Sequence, residues 1–314
     1  MSEQVNVMNE ILVVKLGALG DVILSMDAFN AIRAHHPDAR ITLLTRNPFV
    51  PLAEKMPWFD AVLTDPNPSL FQIGKWWRLR KLLRSGGFQR VYDLQCNDRT
   101  GFYFRLFGRH NGEWCGTAKG CSHQRHDHRR DPVPAAERLL RFLESVDVPR
   151  AGAADTSWLT GDVDALGLPE KFVMIIPGCA PQHPHKRWPA AHYAELAQQL
   201  EKQGIAVVSV GTGVDLATIR EIQAVAPAVM NLAGKTDIGQ LAEVARRALG
   251  VVGNDTGPIH IAAITGAPTL VLMSGKTDPA RMTPHGTDVG WLRRDTLADL
   301  SPAEVMGSIR LRAA

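Results

Sequence analysis

The sequence predicts an α/β protein of two domains, and three observations carry that expectation. The chain has 314 residues, long enough for two domains of roughly 150 residues that each bury a core of their own. Short apolar, β-branched runs alternate with amphipathic stretches, once in each half of the chain. Between the two series, residues 151–168 turn to Ala, Gly, Asp and Thr without clear periodicity, as an interdomain linker does.

In the first half, residues 1–150, the segments 11–15, 41–45, 61–64 and 91–94 read as strands with helical patterns between them. Strands this continuously apolar are buried on both faces, so the sheet is expected to be mainly parallel with helices on each side, a Rossmann-like arrangement. A helical stretch over 134–146 closes this half. The pattern restarts in residues 169–314 with strands at 172–176, 206–210, 250–252 and 269–273 and helices at 190–203, 215–224, 238–248 and 258–265. The last helical stretch, 302–310, is a candidate to pack back on the N-terminal domain. In open parallel sheets ligands bind at the carboxyl ends of the strands, so the functional residues are sought in the loops that follow them.

Composition narrows the class. The chain is 45% hydrophobic and 21% charged, a globular balance, and no apolar run reaches the roughly 18 residues that span a bilayer. The polar start, Met1 to Glu10, leads into the first strand without the basic, apolar and small-residue segments of a secretory signal, so a cytoplasmic protein is expected. Cys96, Cys115, Cys121 and Cys179 are few and scattered, and are read as thiols. Residues 75–130 hold 13 Lys/Arg against Asp93, Asp98, Glu113 and Asp127, a local +9 in a chain of net +3. Such a stretch suits either an anionic partner or a solvated face.

Four segments follow strands and carry candidate chemistry. In Lys15-Leu16-Gly17-Ala18-Leu19-Gly20-Asp21 the glycines allow a tight turn, and Asp21 reads either as a helix N-cap or as a general base. A dinucleotide fingerprint is not met, because the spacing is G-x-x-G and Arg46 stands where the ribose-binding acid belongs. The second segment, 177–189, is rich in Gly, Pro and His and ends in Lys186-Arg187-Trp188-Pro189, two cations suited to phosphate. In the third, Asn254-Asp255-Thr256-Gly257-Pro258-Ile259-His260 opens a helix whose first amides favour an anion. The fourth, Lys276-Thr277-Asp278-Pro279-Ala280-Arg281, adds a helix entry and two more cations.

Taken together, these segments resemble the lipopolysaccharide heptosyltransferases of glycosyltransferase family 9, inverting enzymes of the GT-B fold, over nearly the whole chain. The resemblance implies two Rossmann-like domains with parallel sheets facing across a cleft, and transfer of a heptose from ADP-heptose to a lipopolysaccharide core acceptor. It makes Asp21 the base on the acceptor hydroxyl, with Gly17 and Gly20 shaping its loop, and Lys186 a contact to the donor phosphates. It likewise assigns Asp255, Thr256, Gly257 and His260 to the diphosphate and Asp215 to the ribose. No metal or other cofactor is implied; Asp162-Val163-Asp164 fits a D-x-D pattern but follows no strand. The implied partners are the nucleotide sugar and the anionic core acceptor, with peripheral contact at the inner membrane surface and no nucleic acid.

Two stretches stand outside that pattern. Residues 108–131 hold His110, Cys115, Cys121, His123, His126 and His128 without zinc-ligand spacing, and are expected to form a basic loop on the acceptor side. Residues 75–84 are amphipathic and basic, suited to an anionic membrane surface or to covering the sheet. The alternatives to the heptosyltransferase reading are a GT-B transferase with another nucleotide sugar, a sugar-nucleotide epimerase, and a non-catalytic nucleotide-binding module.

Overall fold

The computed structural model describes residues 9–125 and 133–313, and the chain divides into two units, Met1–Trp158 and Leu159–Ala314. The division falls inside the stretch 151–168.

The first unit is built on a six-stranded sheet with β1 (Glu10–Val14), β2 (Arg40–Arg46), β3 (Ala61–Asp65), β4 (Arg90–Asp93), β5 (Glu113–Gly116) and β6 (His123–Gln124). Its order is β3-β2-β1-β4-β5-β6, and every pairing is parallel. Ile11 to Val14 are no more than 2% exposed, as expected of a central strand covered on both faces. Between the strands run α1 (Leu19–Ile23), α2 (Met26–His35), α3 (Val50–Ala53), α4 (Ile73–Ser85) and α5 (Asp98–Phe107), and α6 (Ala135–Glu144) follows. One core cluster joins Leu12, Val14 and Val91 of the sheet to Leu79 and Leu83 of α4 and Tyr103 and Phe107 of α5. Helix α5 starts at Asn97, whose side chain accepts from the Thr100 amide at 3.0 Å, filling one of the donors a helix start leaves open.

The second unit repeats the plan with β7 (Phe172–Ile176), β8 (Ala206–Ser209), β9 (Met230–Asn231), β10 (Gly250–Asn254), β11 (Thr269–Ser274) and β12 (Val289–Arg294). The order is β12-β11-β10-β7-β8-β9, again parallel throughout. Its helices are α7 (Ala190–Glu201), α8 (Leu216–Val225), α9 (Ile238–Arg247), α10 (Gly257–Ile264), α11 (Pro279–Met282) and α12 (Pro302–Ser308). Asp237 and Gln240 close a reciprocal cap on α9, each side chain accepting the other's amide, at 2.7 and 3.0 Å.

In both sheets the chain builds outward one way from a central strand and then returns to build the other way. The reversal falls between β1 and β4 in the first unit and between β7 and β10 in the second. The carboxyl ends of those four strands are the topological switch points at which open α/β sheets bind ligands.

One expectation is corrected. The described part of 108–131 is not one loop: Glu113–Gly116 and His123–Gln124 extend the first sheet, and Trp114 and Cys115 are fully buried. The glycines and histidines around so short a strand hid its pattern; His126 and His128 lie outside the described residues. The last helix puts Val305 into the second unit's core with Trp188 and Leu300. The four cysteines are free, as read. Among the described residues no helix is long and apolar enough to cross a membrane, and no group of three His, Cys, Asp or Glu is placed to hold a metal ion.

Candidate active site

At the first switch point the chain leaves β1 through Lys15 and enters α1 at Leu19, three residues before the start that a cap at Asp21 implies. Gly17 makes that turn: its φ is +111°, and a Cβ there would run into the Phe49 ring. Asp21 is therefore the third residue of the helix and not its cap. Its Oδ2 reaches back to accept the Ala18 amide at 3.0 Å, leaving Oδ1 for other work. Gly20 sits beside it in the first turn, half-buried.

Beneath Asp21 lies a buried polar cluster that the sequence did not single out. Lys15 is 6% exposed, and its Nζ donates to the Leu94 carbonyl at 3.2 Å. The Leu16 amide donates to Gln95 Oε1 at 2.9 Å, so the β1 loop is tied to the end of β4. Asp93, the last residue of β4, is fully buried; its Oδ1 accepts the Gln95 and Cys96 amides at 3.1 and 2.9 Å. Asp93 Oδ2 has no hydrogen-bond partner among the described residues. Burial pushes the Asp93 carboxyl up to about 6, against the pull of those amides, of the Thr100 side chain and of Lys15. Burial also pushes the Lys15 ammonium down, opposed by the charges of Asp21, Cys96 and Asp93. A signal was present: Lys15 and Asp93 are charged residues at the ends of adjacent apolar strands, where a charge is buried only with a partner.

The second switch point is bonded across long sequence separations. Lys186, at the end of a 3-10 turn after β7, places Nζ 2.6 Å from Asp255 Oδ2. The Asp255 carboxylate is 3% exposed and also accepts from Thr277 Oγ1 at 3.1 Å, joining the loops after β7, β10 and β11. Lys186 keeps 22% of its side chain exposed, so the cation is fixed at its base with part of it open. Asn254 is the hub beneath. Fully buried, its Oδ1 accepts the Trp188 amide and the Tyr193 hydroxyl, both at 3.1 Å. Its Nδ2 donates to the Pro177 and Gly178 carbonyls at 2.8 and 3.3 Å, which satisfies the whole amide group. Sequence reasoning gave Asn254 no role, although a carboxamide ending a buried strand has few other uses.

Helix α10 begins at Thr256, with Gly257 and Pro258 as its first two residues. Because Pro258 has no N–H, the amides at this helix start are those of Thr256 and Gly257. His260 lies one turn further in and is buried, 3% exposed. Asp215 closes a 3-10 turn after β8, accepting the Thr212 amide at 2.8 Å and hydroxyl at 2.9 Å. Its carboxylate lies so close to Gly178 that a Cβ there would collide with it, which brings the β7 and β8 loops together. His185 feels the local charge: slight burial, then the charges of Lys276, His183 and Lys186, lower its pKa. Lys276 therefore joins Lys186 on a cationic rim, and Asp278 caps α11 through the Ala280 amide at 3.0 Å.

The structure thus brings Lys186, Asp255, Thr256, Gly257 and Asp215 to one set of strand ends in the second unit, and Asp21, Gly17 and Gly20 to the equivalent position in the first. Two Rossmann-like units, each a parallel sheet with its switch point at the strand ends, form the architecture of the GT-B fold. The family model for glycosyltransferase family 9 (heptosyltransferase) matches residues 136–303, more than half of the chain, and the chain belongs to that family. It is similar to lipooligosaccharide heptosyltransferase 2 of Haemophilus influenzae, 27% identical over 87% of this chain and 85% of that one. It is also similar to lipopolysaccharide heptosyltransferase 2 of Salmonella typhimurium, 27% identical over 86% and 84%. In fold it matches the structure of the Escherichia coli ADP-heptose lipopolysaccharide heptosyltransferase II, with a TM-score of 0.77, 23% identity and coverage of 95% and 96%.

Proposed function

We propose that the chain transfers a heptose from ADP-heptose to a lipopolysaccharide core acceptor, with inversion, in a single in-line displacement. The observation that carries this reading is the half-open Lys186 ammonium, pinned by Asp255 beside the amides of Thr256 and Gly257. A fixed cation and two helix-start amides are what a departing diphosphate needs, since its charge grows as the bond breaks. The relatives' names supply the sugar and the acceptor class.

In this scheme Asp21 takes the proton of the acceptor hydroxyl as its oxygen bonds to the anomeric carbon. The bond from that carbon to the diphosphate oxygen breaks, and the electron pair leaves on ADP, met by Lys186 and the two amides. Asp255 and Thr277 act through Lys186 as positioning residues. Asp215 and His260 complete the donor side, Asp215 toward the ribose and His260 toward the phosphates. The scheme calls for no metal ion or cofactor, because protein donors meet the leaving group's charge.

The test is calorimetric titration with ADP, UDP, GDP and CDP in the absence of metal, followed by product analysis with ADP-heptose. Selective ADP binding, with heptose appearing only on added core acceptor, is expected. Preference for another nucleotide discards heptose but keeps the displacement, and donor conversion without acceptor replaces the transferase with an epimerase.

A further inference from the structure

Lys15 follows the buried apolar run Ile11–Val14 of β1 and is buried with it. A buried ammonium is costly unless an opposite charge meets it. Its one hydrogen bond among the described residues, however, goes to a neutral group, the Leu94 carbonyl. The charge is therefore answered at longer range, by Asp21 most strongly and then by Cys96 and Asp93, with Arg125 opposing them. Two of those three groups have other commitments. Burial pushes the Cys96 thiol up to about 12, so it carries no charge at neutral pH. Asp93 is held more strongly by the Cys96 amide, the Thr100 side chain and the Gln95 amide than by Lys15. Asp21 remains as the anion that Lys15 serves.

The backbone fixes the two groups separately. Val14 and Asp93 are register partners, and the Leu94 and Gln95 amides both donate to the Val14 carbonyl at 3.1 Å. Lys15 thus stands on a strand end that β4 holds from the side. Gly17 then turns the chain into α1, where Asp21 ties one oxygen to the Ala18 amide. Ammonium and carboxylate are mounted on either side of one tight turn, and their relation depends on no direct bond between them.

The proposed chemistry gives such a cation a task. Asp21 has to be a carboxylate when the acceptor hydroxyl arrives, while the donor diphosphate, the anionic acceptor and the loss of water all favour the protonated form of a nearby carboxyl. A cation exposed at the rim would be drawn to those same anions. One buried behind the base keeps its place, and the low dielectric of its surroundings strengthens its field.

We infer that Lys15 is a positioning residue of the transfer reaction, its buried ammonium keeping Asp21 ionised beside anionic substrates. The inference rests on Asp21 being the base, but the coupling between the two side chains is measured without turnover.

Carboxyl-carbon NMR titration of the full chain tests it, with the Asp21 resonance identified by its loss in Asp21→Asn. The variants compared are Asp93→Asn and Lys15→Met/Asp93→Asn. Both lack the Asp93 charge, so neither leaves a buried carboxylate without its cation, and they differ in the ammonium. The Asp21 midpoint is expected to lie about one pH unit higher without Lys15, and the acid limb of kcat to move up with it. Equal midpoints overturn the inference, because a cation that only offsets the burial of Asp93 would leave Asp21 unmoved. Coupling between two sites is reciprocal. Asp21→Asn, which leaves the core intact, is therefore expected to lower the titration midpoint of the Lys15 ammonium by a similar amount, and an unchanged Lys15 midpoint overturns the inference as well. Wild-type turnover by Asp21→Asn is a separate result: it removes the base, and with it the reading on which the inference rests, whatever the coupling.

Discussion

In the first unit Asp21 is held by its own loop, through the amide of Ala18 three residues away. In the second, Lys186 is held by Asp255 across 69 residues, Asp255 is shared with Thr277 across 22, and Asn254 binds three segments beneath them. The strand order is equivalent in both units, yet one switch point presents a side chain on a short helix and the other a braced network. The difference matches what each group is proposed to do. A base must meet a hydroxyl and let go of a proton, so little else should hold it. A leaving-group stabiliser works best when it does not reorganise as charge develops, so its bracing is part of its function.

The largest expected effect tests the first half of that contrast. Asp21→Asn keeps an oxygen to accept the Ala18 amide but cannot take a proton. Turnover is expected to fall about 10²–10⁴-fold, with donor affinity and melting temperature close to wild type. Wild-type turnover removes Asp21 from the chemistry, and a large loss of stability shows that its bond within the loop matters more than the geometry suggests. Lys186→Ala tests the other half and is expected to differ in kind. It removes the cation from the leaving group, lowering kcat/KM about 100-fold, and it leaves a buried carboxylate with only Thr277, costing about 2 kcal/mol of stability. Steady-state kinetics and urea denaturation of the same preparation check both numbers. A variant that loses activity without losing stability would mean that Asp255 does not depend on Lys186.

The same contrast explains how much could be read from the sequence. Strands such as Ile11–Val14 and Phe172–Ile176 were legible because burial on both faces demands unbroken apolar residues. The loops after β1, β7 and β10 were legible because Gly, Pro and charged residues interrupt those runs at the strand ends. Strands β5, β6, β9 and β12 were not, being short or half-exposed. Nor was the start of α1, where the carboxylate expected at the cap sits three residues in. The bracing was hidden for a more general reason. Asn254, Asp255 and Thr277 are joined by hydrogen bonds between distant segments, and a hydrogen bond across 66 residues leaves no local periodicity to find.

The remaining effect, one on stability and its pH dependence alone, concerns the buried cluster under Asp21, where the first unit differs most from the satisfied network of the second. Asp93 is fully buried with Oδ2 unpartnered among the described residues, and burial raises its pKa to about 6. A carboxyl whose folded-state value lies above its unfolded one favours folding while it is protonated. Its contribution is therefore complete below about pH 4 and is lost as pH rises through about 6, amounting to at most about 3 kcal/mol. Asp93→Asn mimics the protonated form, keeping an oxygen for the Gln95 and Cys96 amides without a charge to bury. The variant should match the wild type near pH 4 and become the more stable of the two toward neutral pH, as followed by thermal melts across that range. A stability difference that does not change with pH would show that Asp93 is already ionised and paired with Lys15 throughout. The first unit would then brace its loop with a buried ion pair, as the second does, and the contrast between the two switch points would disappear.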